Sequence, residues 1–292
     1  MVSGVNDFFL FAIFIYATTQ TFVDLITQSA DYRETMKVIR RRRGLKPIRE
    51  VIGLPVQTIE PMPVEKAQKS DVVRVPGFLS NSEIEKFLYE VEQCNLPAYT
   101  SNYGEDLDEN GTPVHTTTYL QTKQTFQKSF HWLSQRIRKL IKLTNTSQNW
   151  GFDIENNRSF NVRVAEFHEM TKGGSLLHSE HYDIGSIITI DIMLHEADKG
   201  AEFQTLEVKH KDNDTNTSII NNTDHIHDKN YMKTHEFHAG DALIFVSHKY
   251  HSVTPLIQGK RKVLVIEYWN GKQRCCGHRC DKPFGICAFT AD

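Results

Sequence analysis

Two kinds of side chain in this sequence could hold a metal between them: imidazoles, of which there are 14, and carboxylates that stand close to them. The stretch HSEHYDIGSIITIDIML, residues 178–194, sets His181 and Asp183 two positions apart, where a polar run gives way to a strongly β-branched one. Residues i and i+2 of a strand point to the same side, so this imidazole and this carboxylate can aim at one point. One more distant histidine would complete a 2-His-1-carboxylate facial triad. Such a triad covers one face of an Fe(II) octahedron and leaves three positions open for a bidentate acid and oxygen.

The triplet alone is a weak signal, because a chain this rich in histidine produces His-x-Asp by chance. His210-Lys211-Asp212 is a second copy, set in a polar stretch with no apolar strand to hold it rigid. His178-Ser179-Glu180 lies one triplet upstream and lacks the directly following strand. Context selects His181 and Asp183. GDALIFVSHKYHSVTPLIQGKRKVLVIEYW, residues 240–269, reads as an apolar strand, His251, a turn through Pro255 and Gly259, and a return strand entered at Arg261. Arg261 follows His251 by ten residues. A strand, a turn and a return strand can carry that guanidinium deep into a barrel. There it would form a bidentate pair with the far carboxylate of an acid whose other end the metal holds. His248, thirteen residues before Arg261, competes for the third ligand position. His225, His227, His235 and His238 read as surface or loop residues.

These groups need rigid elements to position them. DVVRVPGFLSNSEIEKFLYEVEQ, from Asp71, reads as a short strand, a Pro76-Gly77 turn and a helix capped by Ser80 or Asn81, with Ile84, Phe87, Leu88 and Val91 on one face. TKQTFQKSFHWLSQRIRKLIKL repeats Phe126, Phe130, Leu133, Ile137 and Leu140 at helical spacing, which reads as core. From about residue 160 the period becomes that of strands, with NVRVAEFHEM alternating Val162, Val164 and Phe167 with polar neighbours. Several short strands after two helices predict a mainly β core with a helical buttress, of sandwich or jelly-roll type. A polar insertion over about 209–236 interrupts it, long for a structureless loop in a compact domain. DLDENG, residues 106–111, opens like a calcium loop, but Thr117 stands where a bidentate Glu is needed, so it reads as a turn.

With these residues in view, RVAEFHEMTKGGSLLHSEHYD, GSIITIDIML, KGAEFQT and GDALIFVSHKYHSVTPLIQGKR together resemble the iron(II)/2-oxoglutarate-dependent dioxygenases, in particular their prolyl 4-hydroxylase-like branch. The resemblance covers roughly residues 71–270. It implies a double-stranded β-helix, with His181, Asp183 and His251 as iron ligands and Arg261 as anchor of the 2-oxoglutarate C5 carboxylate. It implies hydroxylation of a substrate C–H bond, with peptidyl proline as the first candidate. O2 would be consumed, succinate and CO2 released, and ascorbate would serve as reductant. Halogenating relatives lack the carboxylate that Asp183 supplies, which favours hydroxylation. KGAEF departs from the usual Gly-Gly-Glu by Ala201, a change expected to be harmless at a tight turn. No residue matches the tyrosine that often helps to bind 2-oxoglutarate. A noncatalytic jelly-roll binding module of the secretory pathway is the alternative reading.

The termini carry separate expectations. Ten apolar residues run from Phe8 to Ala17, short for a membrane span and of signal-core length. Residues 1–27 therefore read as a signal peptide or short anchor, with membrane attachment through residues 8–26, and the Pro-containing stretch 28–70 with KVIRRRRGLK as a basic linker. The Arg40 to Arg43 run opposes a lumenal domain on charge bias. Asn-x-Ser/Thr sequons begin at Asn110, Asn145, Asn157, Asn213, Asn216 and Asn221, which fits the endoplasmic reticulum lumen or secretory pathway. The tail 273–292 holds Cys275, Cys276, Cys280 and Cys287, as disulfides in that compartment or as a zinc site with His278. A net charge of −2 over 292 residues gives no long-range case for a nucleic-acid partner. The remaining partner is a peptide or small-molecule substrate.

Overall fold

The computed structural model describes residues 59–100, 107–155, 157, 159–207 and 231–279. The chain divides into the units Met1–Gln57 and Thr58–Asp292, and every described residue belongs to the second. The expected signal or anchor, most of the basic linker, His210, Cys280 and Cys287 lie outside the described residues.

The described residues include structure ahead of the expected boundary at residue 71. A short helix α1, Val64–Ala67, lies within the stretch expected as linker, and Ile59, Met62 and Ala67 are buried in the core. Three apolar side chains among the prolines are enough to dock it. Strand β1, Val73–Val75, follows, then helix α2, Asn81–Gln93. Ser80 caps α2 in a capping box with Glu83. After β2, Ala98–Thr100, and β3, His115–Tyr119, the second helical region breaks where one continuous helix is expected. A 3₁₀ turn at Thr122–Gln124 leads into α3, Thr125–Ser129. The backbone leaves helical geometry at Phe130 (φ −109°, ψ 37°), and α4 runs from His131 to Ser147. Phe126 and Phe130 flank the break, and both rings are fully buried.

The remaining strands are β4 (Phe160–Met170), β5 (Leu176–His181), β6 (Ile188–His195), β7 (Lys199–Gly200), β8 (Phe203–Glu207), β9 (Tyr231–Thr234), β10 (Ala242–Val246), β11 (His251–Val253), β12 (Leu256–Gln258) and β13 (Arg261–Asn270). They form a seven-stranded antiparallel sheet in the order β1-β10-β6-β13-β4-β3-β2, a four-stranded sheet β5-β11-β8-β9, and the pair β12-β7. This is the expected jelly-roll core with a helical buttress. Strand β9 lies inside the segment expected as a polar insertion and pairs with β8, so the insertion ends before it.

The larger sheet is covered on both faces. Ile188, Ile190 and Ile192 of β6, Ile244 and Val246 of β10, and Leu264 and Ile266 of β13 share one core with the helical residues Phe87, Leu133 and Ile137. The alternate residues Met193, Leu243, Phe245 and Val263 share a second core with Phe203 and Val253 of the smaller sheet. Period-2 alternation thus separates a helix-facing set from a set facing the space between the sheets.

Two turns test sequence expectations. Gly200 has φ +78°, and a Cβ there would lie 2.3 Å from the Pro255 carbonyl oxygen, so only glycine fits. Ala201 then takes φ 54°, a left-handed conformation that costs an L residue about 1–2 kcal/mol. The turn is kept, at a small cost. Residues 107–111 of DLDENG fold as the expected turn, with Asp108 Oδ1 accepting from the amides of Asn110 and Thr112, each at 2.8 Å. Two sequon asparagines are built into the fold. Asn145 Nδ2 donates to the Phe152 carbonyl at 2.7 Å, and buried Asn157 donates to Asn270 Oδ1 at 3.1 Å.

Candidate metal centre and acid pocket

His181 ends β5 and His251 opens β11, and the two are paired residues of adjacent antiparallel strands. Their rings meet edge to face with centroids 4.9 Å apart. Asp183 lies two residues beyond β5, fixed by its backbone amide, which donates to the Ser247 carbonyl at 2.9 Å. Its Oδ1 is 3.5 Å from His181 Nε2, and its Oδ2 is 4.0 Å from His251 Nε2. One ligand atom from each residue falls within 4.8 Å of the other two, and this is the cluster with metal-binding geometry among the described residues. The competing histidines are elsewhere. His178 is exposed on β5, and the His248 ring packs against Tyr182.

Neighbouring groups orient these three. His251 Nδ1 is 2.9 Å from the Lys249 carbonyl oxygen. A carbonyl only accepts, so the proton sits on Nδ1 and Nε2 keeps its lone pair for a metal. Burial lowers His251 to about 4, which keeps the ring neutral at neutral pH. Thr189 Oγ1 donates to Asp183 Oδ2 at 2.7 Å and lies 2.9 Å from Ser247 Oγ. Burial pushes Asp183 upward, but His251, His181 and the Arg279 guanidinium outweigh it and hold the carboxyl well below its ordinary range. It is a carboxylate ready to bind a cation.

Arg261 opens β13 on the same cavity, which is also lined by His115, Met170, Phe203, Asp191 and Val263. Its side chain is almost fully buried, Nη1 touches only the Met170 sulfur at 4.0 Å, and Nε has no hydrogen-bond partner among the described residues. Burial lowers the guanidinium to about 10, against the attraction of Asp191, so it remains a cation at neutral pH. A buried cation with an unmet donor fits a carboxylate ligand.

Other residues of this cavity were not singled out in the sequence. Strand pairing aligns His115, Met170 and Arg261 across β3, β4 and β13, then Thr117, His168 and Val263, then Tyr119, Glu166 and Val265. Asp191 of β6 extends that last row. His168 Nε2 lies 3.1 Å from Glu166 Oε2, and His168 Nδ1 lies 3.0 Å from both His115 Nε2 and Thr117 Oγ1. Burial, with His168 and Arg261 nearby, lowers His115 to about 2. Arg279 enters from the tail. Its Nη1 donates to Glu166 Oε2 at 2.9 Å, and its Nη2 lies 2.9 Å from Asp183 Oδ1 and 2.5 Å from Glu267 Oε1. Glu267 is raised to about 7, by burial first. The two described tail cysteines, Cys275 and Cys276, do not line this cavity. Cys276 Sγ donates to the His278 carbonyl at 3.5 Å, and the Cys275 carbonyl accepts from the Lys123 amide.

No protein-family model and no curated protein matches the sequence. Solved structures do match. HygX from Streptomyces hygroscopicus, with nickel and 2-oxoglutarate bound, is 15% identical with a TM-score of 0.45, over 70% of this chain and 85% of that one. A Pseudomonas putida prolyl-4-hydroxylase is 12% identical with a TM-score of 0.43, over 71% and 96% of the two chains. The viral collagen prolyl hydroxylase of Paramecium Bursaria Chlorella virus-1 is 13% identical with a TM-score of 0.44, over 69% and 97%.

Proposed function

We propose that this protein is an Fe(II)- and 2-oxoglutarate-dependent dioxygenase that hydroxylates a C–H bond of its substrate. The observation that carries the reading is the meeting of His181, Asp183 and His251 on one cavity with a buried guanidinium, Arg261, whose Nε has no hydrogen-bond partner among the described residues. The donor set suits a divalent first-row metal, and the unmet donor suits a dicarboxylic acid. His181, Asp183 and His251 would hold the metal. One oxygen of Asp183 can bind it while the other stays with the protein, on Thr189 or Arg279. Arg261 would hold the distal carboxylate of 2-oxoglutarate. When bound, iron with 2-oxoglutarate and O2 supplies the oxidising power for hydroxylation, releasing succinate and CO2.

The finer parts of the proposal rest on the sequence. The resemblance to the prolyl 4-hydroxylase-like branch supports a peptidyl proline as substrate and ascorbate as reductant. The apolar run from Phe8 to Ala17 and the tail cysteines support the secretory pathway.

The test measures 2-oxoglutarate consumed and succinate formed by purified protein with Fe(II) and ascorbate, alongside metal titration. His181→Ala and His251→Ala should abolish both readouts with the fold intact, and His210→Ala should be nearly silent. The reverse pattern would mean that the wrong triplet has been chosen. A wild-type protein that neither binds metal nor turns over would be a noncatalytic jelly-roll module.

A further inference from the structure

We propose that Asp191 is a second anchor for the dicarboxylate cosubstrate, its carboxylic acid O–H donating a hydrogen bond to a carboxylate oxygen of the acid held by Arg261. The inference rests on the 2-oxoglutarate reading above and adds a residue to it.

Asp191 sits in the middle of β6, an interior strand, paired with Val265 of β13 on one side and Leu243 of β10 on the other. Those flanking side chains are apolar, so neither neighbouring strand gives the carboxyl a partner at its own level. Asp191 and Arg261 line the same cavity, on the inner face of adjacent strands. Both are more than nine-tenths buried, at 6% and 2% exposure. Asp191 Oδ1 and Arg261 Nε each lack a hydrogen-bond partner among the described residues, although each group feels the other's charge. Two complementary groups that line one cavity without pairing leave a gap for something that satisfies both. The molecule that would do so presents acceptors to a guanidinium and to a carboxyl group, which is a carboxylate.

Protonation decides whether Asp191 attracts or repels that ligand. Burial pushes its carboxyl up to about 8, and the charge of Asp183 adds to this while Arg261 opposes it. The charged groups facing it from the packed elements are Asp183 from the β5–β6 turn, Arg261 and Glu267 from β13, and Arg279 from the tail. In the metal-free site the group is therefore mainly the neutral acid at neutral pH. An O–H donor to a carboxylate is among the stronger hydrogen bonds available in a dry site.

The experiment is calorimetric titration of 2-oxoglutarate into the full-length protein loaded with redox-inert Ni(II), for wild type, Asp191→Ala, Asp191→Asn and Arg261→Ala. Asp191→Ala should weaken binding about tenfold or more, the loss of one hydrogen bond to a charged acceptor. Asp191→Asn keeps an N–H donor and should stay within about threefold of wild type, since it meets the same acceptor. Raising the pH from 7 to 9 should weaken binding by wild type but not by Asp191→Asn. Asp191→Ala binding as tightly as wild type, or more tightly, overturns the proposal, because the carboxyl would then be idle or repulsive. If wild type fails to bind 2-oxoglutarate, or if Arg261→Ala leaves its affinity unchanged, the cosubstrate reading fails and this proposal falls with it. Strong binding that depends on Arg261 but not on Asp191 refutes this proposal alone.

Discussion

Replacing Arg261 with methionine should make the metal-free protein more stable and destroy its response to 2-oxoglutarate. The guanidinium is 2% exposed and is displaced from its ordinary 12.5 to about 10, with burial as the larger cause. It is charged at pH 7 in both the folded and unfolded chains, so folding moves a cation from water into a poorer site. At about 1.36 kcal/mol for each tenfold change in proton affinity, that displacement corresponds to about 3 kcal/mol of lost stability. Methionine has a similar length and no charge, and it gives up the weak contact to the Met170 sulfur and the attraction of Asp191. Replacing a poorly compensated buried ion by an apolar side chain is commonly stabilising. About 3 kcal/mol is an upper value, and for a domain of this size it corresponds to a rise in Tm of roughly 6–12 °C. The assay is thermal melting of wild type and Arg261→Met, metal-free, with Ni(II) alone, and with Ni(II) and 2-oxoglutarate, the ligand shift being read against the Ni(II) form. At a free concentration of 100 Kd the ligand should add about 2.7 kcal/mol to wild type, and nothing measurable to the variant. The gap between the two melting temperatures should therefore close almost completely when ligand is added. A metal-free variant that melts several degrees below wild type would show that Arg261 is already well satisfied by the protein. A variant that keeps the full ligand shift would show that it does not hold the acid.

Two further outcomes follow from the same site. Thr189→Val removes the 2.7 Å hydrogen bond to Asp183 Oδ2 while keeping a β-branched side chain of the same shape, so metal affinity in a Co(II) titration should fall about 10- to 100-fold, and the metal-free protein should lose about 1–3 kcal/mol because a buried carboxylate oxygen is left without its donor. Asp191, at about 8 in the folded protein against 3.8 for the free group, keeps a proton that the unfolded chain has lost. Its contribution to stability is therefore unopposed below about pH 4 and declines as pH rises toward about 8. Denaturant unfolding at pH 5, 7 and 9 should show a steeper decline for wild type than for Asp191→Asn, and equal slopes would place the ionised form of Asp191 in the metal-free fold.

The candidate metal triad and Arg261 are legible in the sequence because each sits at the edge of an apolar run, where a polar side chain stands out against the strand beside it. The charged floor between them is not. Polar residues alternating with apolar ones give the same pattern whether the polar face meets water or a lined cavity. In NVRVAEFHEM, Glu166 and His168 read as the solvent side of a half-buried strand. In the fold, Phe167 faces the helices while Glu166 and His168 face the space between the sheets. The stretch that could have told the two apart is SIITIDIML. There Ile188, Ile190 and Ile192 already satisfy the helix-facing side, and Thr189 and Asp191 remain on a face enclosed by strands on both sides. An acid in that position has no water, so it must find a cation, a proton or a ligand. Arg279 carries no such signal. Its place depends on the path of the tail, set by contacts such as Arg274 N to the Val162 carbonyl and Gln121 Nε2 to the His278 carbonyl, which join residues far apart in sequence. The polarity of the cavity is thus a property of sheet register more than of composition. Slipping β6 by one residue against β13 would turn Ile190 into the cavity and drive Asp191 into the helical core. The same register that fixes the hydrophobic core therefore delivers the acid to the pocket.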